Sequence, residues 1–280
     1  MAKKKRKKTV AGKKKISRLQ IFLSGVFVGI SLLTLANHSD FSKVSFSFSS
    51  PTSNVSPFGN HLPLTTPTIE REGHLLAYDG RTRNAHWVYH RLTQETVEEK
   101  ISRKSSDFHE DPLIPSLIRA TKSDYQNSGY DRGHLCPASD SATIAEMNNS
   151  FFLTNISPQV PAFNRGYWKK VENHIRDLTK QYAVVHVFAG PLYLKQKGAG
   201  DKYFVKYEVI GPNDVAVPTH FFSLIFVEDK MKKLFAKAYI LPNKSIAPKT
   251  SLSKFSASLE DVESASGVIF TQLSSENYEP

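Results

Sequence analysis

The sequence predicts an α+β fold in which a central, mostly antiparallel sheet is flanked by helices. Three observations predict it. Five runs rich in Val, Ile, Phe and Tyr are bounded by Gly, Pro, Asn and Asp, which is the composition of strands: HWVYHRL (86–92), VVHVFAGPLYL (184–194), KYFVKYEVIG (202–211), VAVPTHFFSLIFV (215–227) and LFAKAYIL (234–241). The turn GPND (211–214) joins two of these runs as a hairpin. Helices are expected over about Asn164–Gln181 and near Ser258–Ser266.

The chain before this body divides in three. Residues 1–18 form a basic, cytoplasmic tail with ten Lys or Arg and no acid. The formal net charge is +11, and without the tail 27 basic residues stand against 26 acids. Bulk charge therefore belongs to the tail, and a protein that coats nucleic acid along its whole surface is excluded. Residues 19–36 follow as a transmembrane signal-anchor, uncharged from Ile21 to Ala36 and at the short end of what spans a bilayer. No small-x-small cleavage site is clear around Leu33–His38, which favours an anchor over a cleaved signal. The positive flank keeps the N-terminus in the cytoplasm and sends the body across. This gives a single-pass, membrane-anchored protein with its body on the periplasmic or extracellular side. A mitochondrial targeting segment, placing the body in the intermembrane space, is the alternative. Residues 37–68 read as a linker, with 19 of 32 residues Ser, Thr, Asn or Pro, too polar to offset the entropy of ordering. Phe41, Phe46 and Phe48 alternate with Ser, which allows one short strand there. The globular domain takes residues 69–280.

One cysteine, Cys136, excludes an intrachain disulfide. It reads as a small buried side chain, since no second signature of a thiol enzyme accompanies it. Its nearness to His134 makes thiol oxidation a route by which the surrounding chemistry could be disturbed.

Residues 130–176 concentrate polar groups suited to one reaction class. Phosphodiester hydrolysis needs a base for water, a cation against the phosphate charge and a stabilised leaving oxygen. His134, in YDRGHLCPASD, titrates near neutrality and suits proton abstraction. Gly133 permits a close backbone approach, and Arg132 offers a phosphate contact. Asn164, in NISPQVPAFNRGYW, has a hard amide oxygen of the kind Mg²⁺ accepts, and its place near a helix start also suits an N-cap. Glu172 and Arg176 are four apart and can pair on one helical face, either as a surface ion pair or as part of a site. Ordinary α-helical geometry sets Glu172 about 80° round from Asn164. HED (109–111) reads as a solvated turn, His220 as a hydrogen-bonded core histidine and KMKK (230–233) as a hairpin tip.

DRGH followed in order by NISPQ, FNRGYW and an E-x-x-x-R helix resembles the DNA/RNA nonspecific endonuclease family, the ββα-metal or His-Me finger nucleases, and within it the endonuclease G-like members. SRKSSDFHED (102–111), VFAGPLYL, KYEVIG, VAVPTHFF and LEDVESASG resemble its other blocks, so the resemblance covers roughly 70–275. It implies a sugar-nonspecific endonuclease that hydrolyses DNA and RNA and leaves 5′-phosphates. It implies His134 as general base and Asn164 as the one direct protein ligand of Mg²⁺, with Mn²⁺ an accepted substitute. Glu172 would hold a water of the ion's shell from the second shell. Arg103 would stabilise the charged phosphorane, with Arg91 and Arg119 as nearby alternatives for that place. Asn155 and Arg176 would orient the site and contact phosphate, and Arg132 would hold the loop or the scissile strand. Partners implied are DNA and RNA through their phosphate backbones, a membrane through the N-terminal helix, and a second copy, since homodimers are common in such enzymes. No base-reading motif is present, so little sequence preference is expected. The rival is a catalytically inactive, membrane-tethered nucleic-acid-binding receptor. Such a receptor has no need to retain His134, Asn164 and Glu172 together.

Overall fold

The computed structural model describes residues 68–99, 101–102, 106–228 and 234–270. The basic tail, the expected membrane anchor, the linker with its short Phe/Ser strand, Arg103 and KMKK lie outside the described residues. Among the described residues no helix is long and apolar enough to cross a membrane.

In chain order the first strands are β1 (Thr68–Arg71), β2 (His74–Asp79), β3 (Asn84–Leu92), β4 (Asp131–His134), β5 (Ile156–Gln159) and β6 (Val184–Leu192). Four two-residue strands follow: β7 (Gln196–Lys197), β8 (Tyr203–Phe204), β9 (Val209–Ile210) and β10 (Val215–Ala216). The last are β11 (His220–Glu228), β12 (Leu234–Pro242) and β13 (Ser256–Ala257). The helices are α1 (Gln94–Glu98), α2 (Lys122–Tyr125), α3 (Ile144–Ser150), α4 (Lys169–Leu178) and α5 (Leu259–Ser266).

Seven strands form one sheet in the order β1-β2-β3-β6-β11-β12-β13, with every neighbouring pair antiparallel. β6 is central and buried along its whole length, so both its faces are apolar. Side chains alternate across a strand. Val185, Val187 and Ala189 thus join the core that packs on Phe163, Trp168, Val171 and Ile175 of the α4 region. Phe188 and Leu192 join the opposite core with Val262 of α5, Val268 and Phe270. The α+β architecture expected from the sequence is present, with helices on both faces.

Two expected strands are broken. KYFVKYEVIG keeps only β8 and β9 at its ends, and Tyr203, Phe204, Val205, Tyr207 and Val209 are exposed, so its apolar composition is not core. VAVPTHFFSLIFV splits around Pro218, which has no N–H for a ladder. The GPND hairpin holds: β9 and β10 pair antiparallel, with Gly211 and Asp214 at positive φ. α5 begins after Ser258, whose hydroxyl accepts from the Asp261 N–H while the Asp261 carboxylate accepts from the Ser258 N–H.

The site rests on a smaller unit beside the sheet. β4 and β5 pair antiparallel, with Asp131 opposite Gln159 and His134 opposite Ile156. A π-helical turn, Phe163–Trp168, then leads straight into α4. This is the ββα element of the fold. Gly133 faces the side chain of the fully buried Gln159, and a Cβ there would stand 2.1 Å from the Gln159 Cδ. The close approach expected at Gly133 is therefore to a side chain. Gly133→Ala should lower stability by about 1–3 kcal/mol through overpacking, read from the midpoint of chemical denaturation.

Candidate active site

β4 carries D-R-G-H, and alternation along the strand sets its side chains to different sides. The His134 backbone is fixed by pairing with Ile156 and by the Trp168 indole N–H, which donates to the His134 carbonyl at 3.3 Å. Its ring sits between Phe108 and Phe151, at centroid distances of 5.4 and 5.0 Å. These contacts orient the imidazole without charge.

Asn164 lies inside the π turn. Its N–H donates to the Val160 carbonyl, so it is past the helix start and is not the expected N-cap. Its side-chain Nδ2 donates to Asp131 Oδ2 at 2.9 Å. A carboxylate can only accept, so this contact fixes which end of the amide faces Asp131 and turns the amide oxygen away from it. Arg165 holds the same carboxylate with two bonds of 2.8 and 2.6 Å. Burial works to raise the Asp131 carboxyl, but hydrogen bonds from Arg165 and Asn164 outweigh it and hold the group below the usual range. Asp131 stood within the DRGH string, and sequence reading passed over it in favour of its Arg and His neighbours.

Glu172 and Arg176 both project from α4 but do not pair with each other. Arg176 donates from Nη1 to Asp140 Oδ1 at 2.5 Å and to Ser139 Oγ at 2.8 Å, and from Nη2 to Asn173 Oδ1 at 2.5 Å. The buried Asp140 carboxylate outcompetes Glu172 for the guanidinium. Burial and the charge of Asp140 push the Glu172 carboxyl up to about 8, against the opposing pull of Arg176 and Lys169. The 80° offset from Asn164 does not carry over, because the first turn is π-helical.

Asn155 is completely buried. Its Oδ1 accepts from the Cys136 N–H at 2.8 Å, and its Nδ2 donates to the carbonyls of Cys136 and Ser150 at 2.9 and 2.8 Å. It orients the loop after His134, but with its amide saturated inside the protein it cannot also contact phosphate. Arg132 is exposed, with its guanidinium over the Phe108 ring at 4.4 Å. Arg103 lies outside the described residues. Of its two alternatives, Arg119 pairs with Glu110 at 3.0 Å, and Arg91 is exposed on β3 and lines a separate small pocket with His90 and Asp140. Cys136 is buried and burial pushes its thiol well above its ordinary value, so thiolate is scarce and oxidation is disfavoured. HED is not a solvated turn throughout. Asp111 is buried, bound by Arg71 at 2.6 Å and by the Thr154 hydroxyl at 2.7 Å. His220 is half-buried and hydrogen-bonded to the Thr219 hydroxyl oxygen at 3.0 Å.

His134, Asn164, Glu172, Arg132 and Arg176 line one groove of about 480 Å³, together with Phe108, Arg165 and Lys169. A basin of about 630 Å³ shares Arg176 and continues along Asn173, Asp177 and Lys180. Four cationic side chains and one carboxylate line the groove; Arg165 and Arg176 are each bonded to an aspartate, which leaves Arg132 and Lys169 to give it a modest positive field that attracts phosphate. Among the described residues no cluster of His, Cys, Asp or Glu could cage a metal. The donors present instead suit a hard divalent ion that keeps most of its waters: one amide oxygen at Asn164, and at Glu172 a carboxyl that a nearby cation would ionise.

The fold and groove together define a hydrolase built to act on phosphate esters. The sequence profile of the DNA/RNA non-specific endonucleases matches residues 51–277. Nuclease C1 of Cunninghamella echinulata var. echinulata is 46% identical over 206 residues, covering 72% of this chain and 81% of that protein. Mitochondrial endonuclease G of Bos taurus is 40% identical over 210 residues, covering 75% of this chain and 70% of that one. A chain of the solved EndoG/EndoGI complex superposes with a TM-score of 0.74 at 40% identity, covering 75% of this chain and 88% of that one. The chain belongs to the DNA/RNA non-specific endonuclease family and is a nuclease.

The raised Glu172 carboxyl has a measurable sign. The folded, metal-free state binds this proton more tightly than the unfolded state. Its stability therefore falls as pH rises from the ordinary carboxylate value of 4.5 towards about 8. Glu172→Gln should raise the melting temperature of metal-free protein at about pH 9 and leave it nearly unchanged near about pH 4. Calorimetry at both pH values checks this. A gain of equal size at the two values would show that the charge is not the cause.

Proposed function

We propose that this nuclease is Mg²⁺-dependent and sugar-nonspecific, with His134 as general base and Asn164 as the protein ligand of the ion. The observation that carries the reading is that the His134 ring and the Asn164 amide line the same groove. His134 takes a proton from water as the water oxygen bonds to phosphorus. The P–O3′ bond breaks, the 3′ oxygen takes up a proton from solvent water, and the phosphate stays on the 5′ oxygen of the downstream fragment. Asn164 would hold Mg²⁺ through its amide oxygen, with Glu172 facing the water shell. When bound, the ion offsets the charge on the phosphate and on the leaving oxygen. Arg132, Arg165, Lys169 and Arg176 place the backbone by phosphate contacts, which carry no sequence information. Mn²⁺ satisfies the same donors.

The receptor alternative is weaker, because a binding-only groove needs neither a base nor an amide ligand. On placement, the mitochondrial endonuclease G relative supports the intermembrane-space alternative. The single-pass anchor rests on the apolar run 21–36 alone. Protease protection of intact cells and organelles separates the two.

Plasmid DNA and RNA should both be cut with Mg²⁺ and spared with EDTA. His134→Ala should lower the rate by about 10²–10⁴-fold at unchanged folding. Asn164→Ala should abolish the response to added Mg²⁺. End-labelling before and after phosphatase should place the phosphate at the 5′ end. Cleavage should weaken as salt rises from about 50 to 200 mM. Full activity of His134→Ala, or cleavage in EDTA, would overturn the reading.

A further inference from the structure

Arg176 is held from behind by a residue that does not reach the groove. His90 lies on β3 with its side chain 4% exposed, and its Nε2 stands 3.2 Å from Asp140 Oδ2. The other oxygen of the same buried carboxylate, Oδ1, takes the 2.5 Å bond from Arg176 Nη1. The Arg176 contact is a hydrogen bond into the carboxylate, and the His90 ring nitrogen faces the other oxygen at ion-pair distance. A carboxylate held at one oxygen can rotate about its Cβ–Cγ bond, where the torsional preference is broad. With groups on different elements, β3 and α4, facing its two oxygens, that rotation is restrained.

The surroundings of His90 favour this use. Its ring borders a small pocket of about 40 Å³, also lined by His74, Arg91, Cys136 and Glu146. Burial, helped by His90 and Arg71, pushes His74 down to about 3, so that neighbour stays neutral. Glu146 is turned to the Ala142 N–H at 2.6 Å. Asp140 is thus the carboxylate that the His90 ring nitrogen faces.

We propose that His90 is a positioning residue for the nuclease reaction, acting through Asp140 to fix the Arg176 guanidinium against the substrate phosphate. The proposal rests on the reading of Arg176 as a phosphate contact. Ser139 and Asn173 also hold Arg176, so losing His90 loosens the arginine without releasing it.

The test measures kcat and KM of the full chain on plasmid DNA with Mg²⁺, at temperatures well below each variant's melting point. His90→Leu removes the ring nitrogen and should lower kcat roughly tenfold, with a smaller change in KM. That is less than the ~100-fold cost of a 1 Å misplacement. His90→Gln carries an amide N–H where Nε2 lies and should restore most of kcat. His90→Asn keeps a polar side chain too short to reach Asp140 and should behave as His90→Leu, which covers the case where leucine prevents folding. On an Arg176→Ala background, His90→Leu should have no further effect on kcat. Unchanged kcat in His90→Leu and His90→Asn, with only melting temperature reduced, would overturn the proposal. So would equal losses in the Gln and Leu variants. If Arg176→Ala itself cleaves normally, the reading of Arg176 fails, which is a separate result.

Discussion

The groove depends on how the 21-residue excursion between β4 and β5 is pinned, and the pin is one buried amide. Asn155 has no exposed surface, so every polar atom of its side chain must find a partner inside the protein. It finds three, two on Cys136 and one on Ser150. The first pair fixes the chain directly after His134. The third fixes the C-terminus of α3. Between these points the short 3-10 turn Ala138–Asp140 is brought beside α4, where Asp140 meets Arg176. Loss of the amide would leave buried backbone groups unpaired at about 1–3 kcal/mol each, and His134 and Arg176 would lose their common frame together.

The electrostatics of the groove follow from this packing. Asp140 is buried because the loop places it there, and its charge is met by Arg176 and by His90. Glu172 shares that region without a share of the guanidinium, which is why burial and Asp140 together lift its carboxyl to about 8. An ionised Glu172 is therefore unfavourable in the empty groove, and a divalent cation bound there would relieve it. An active site that costs stability in the empty state is what preorganisation for charge implies.

Much of this was legible in the sequence, and the exceptions have physical causes. β6 and β11 declared themselves because both their faces are buried, which leaves unbroken apolar runs. The run 202–211 misled because Tyr, Phe and Val were counted without knowing that they face solvent. β1 and β2 are short and follow a polar stretch, so no pattern marked them off. Residue chemistry alone left His134, Asn164 and Glu172 with ordinary structural alternatives; the ordered motif blocks singled them out, and they do share a groove. The pairing of Arg176 with Asp140 was not readable, since the two are 36 residues apart and only the folded loop joins them. The π turn at Phe163–Trp168 was equally hidden, because residue periodicity does not distinguish a single π turn from an α turn.

The role of Asp131 explains why an amide, and not a carboxylate, sits at position 164. An aspartate there would set two carboxylates within hydrogen-bond distance, and one would have to take up a proton or turn away. Asn164 avoids the conflict by giving Asp131 a donor on one side and keeping a neutral oxygen on the other. Arg165 then balances the Asp131 charge from outside, so the pair adds little net charge to the groove. On the proposed reading, a neutral ligand would leave the charge of a bound divalent ion largely available to the substrate phosphate. The contact between Asn164 and Asp131 sets the direction of the amide, so DRGH carries in one strand His134 at its end and, at its start, the residue that aims Asn164.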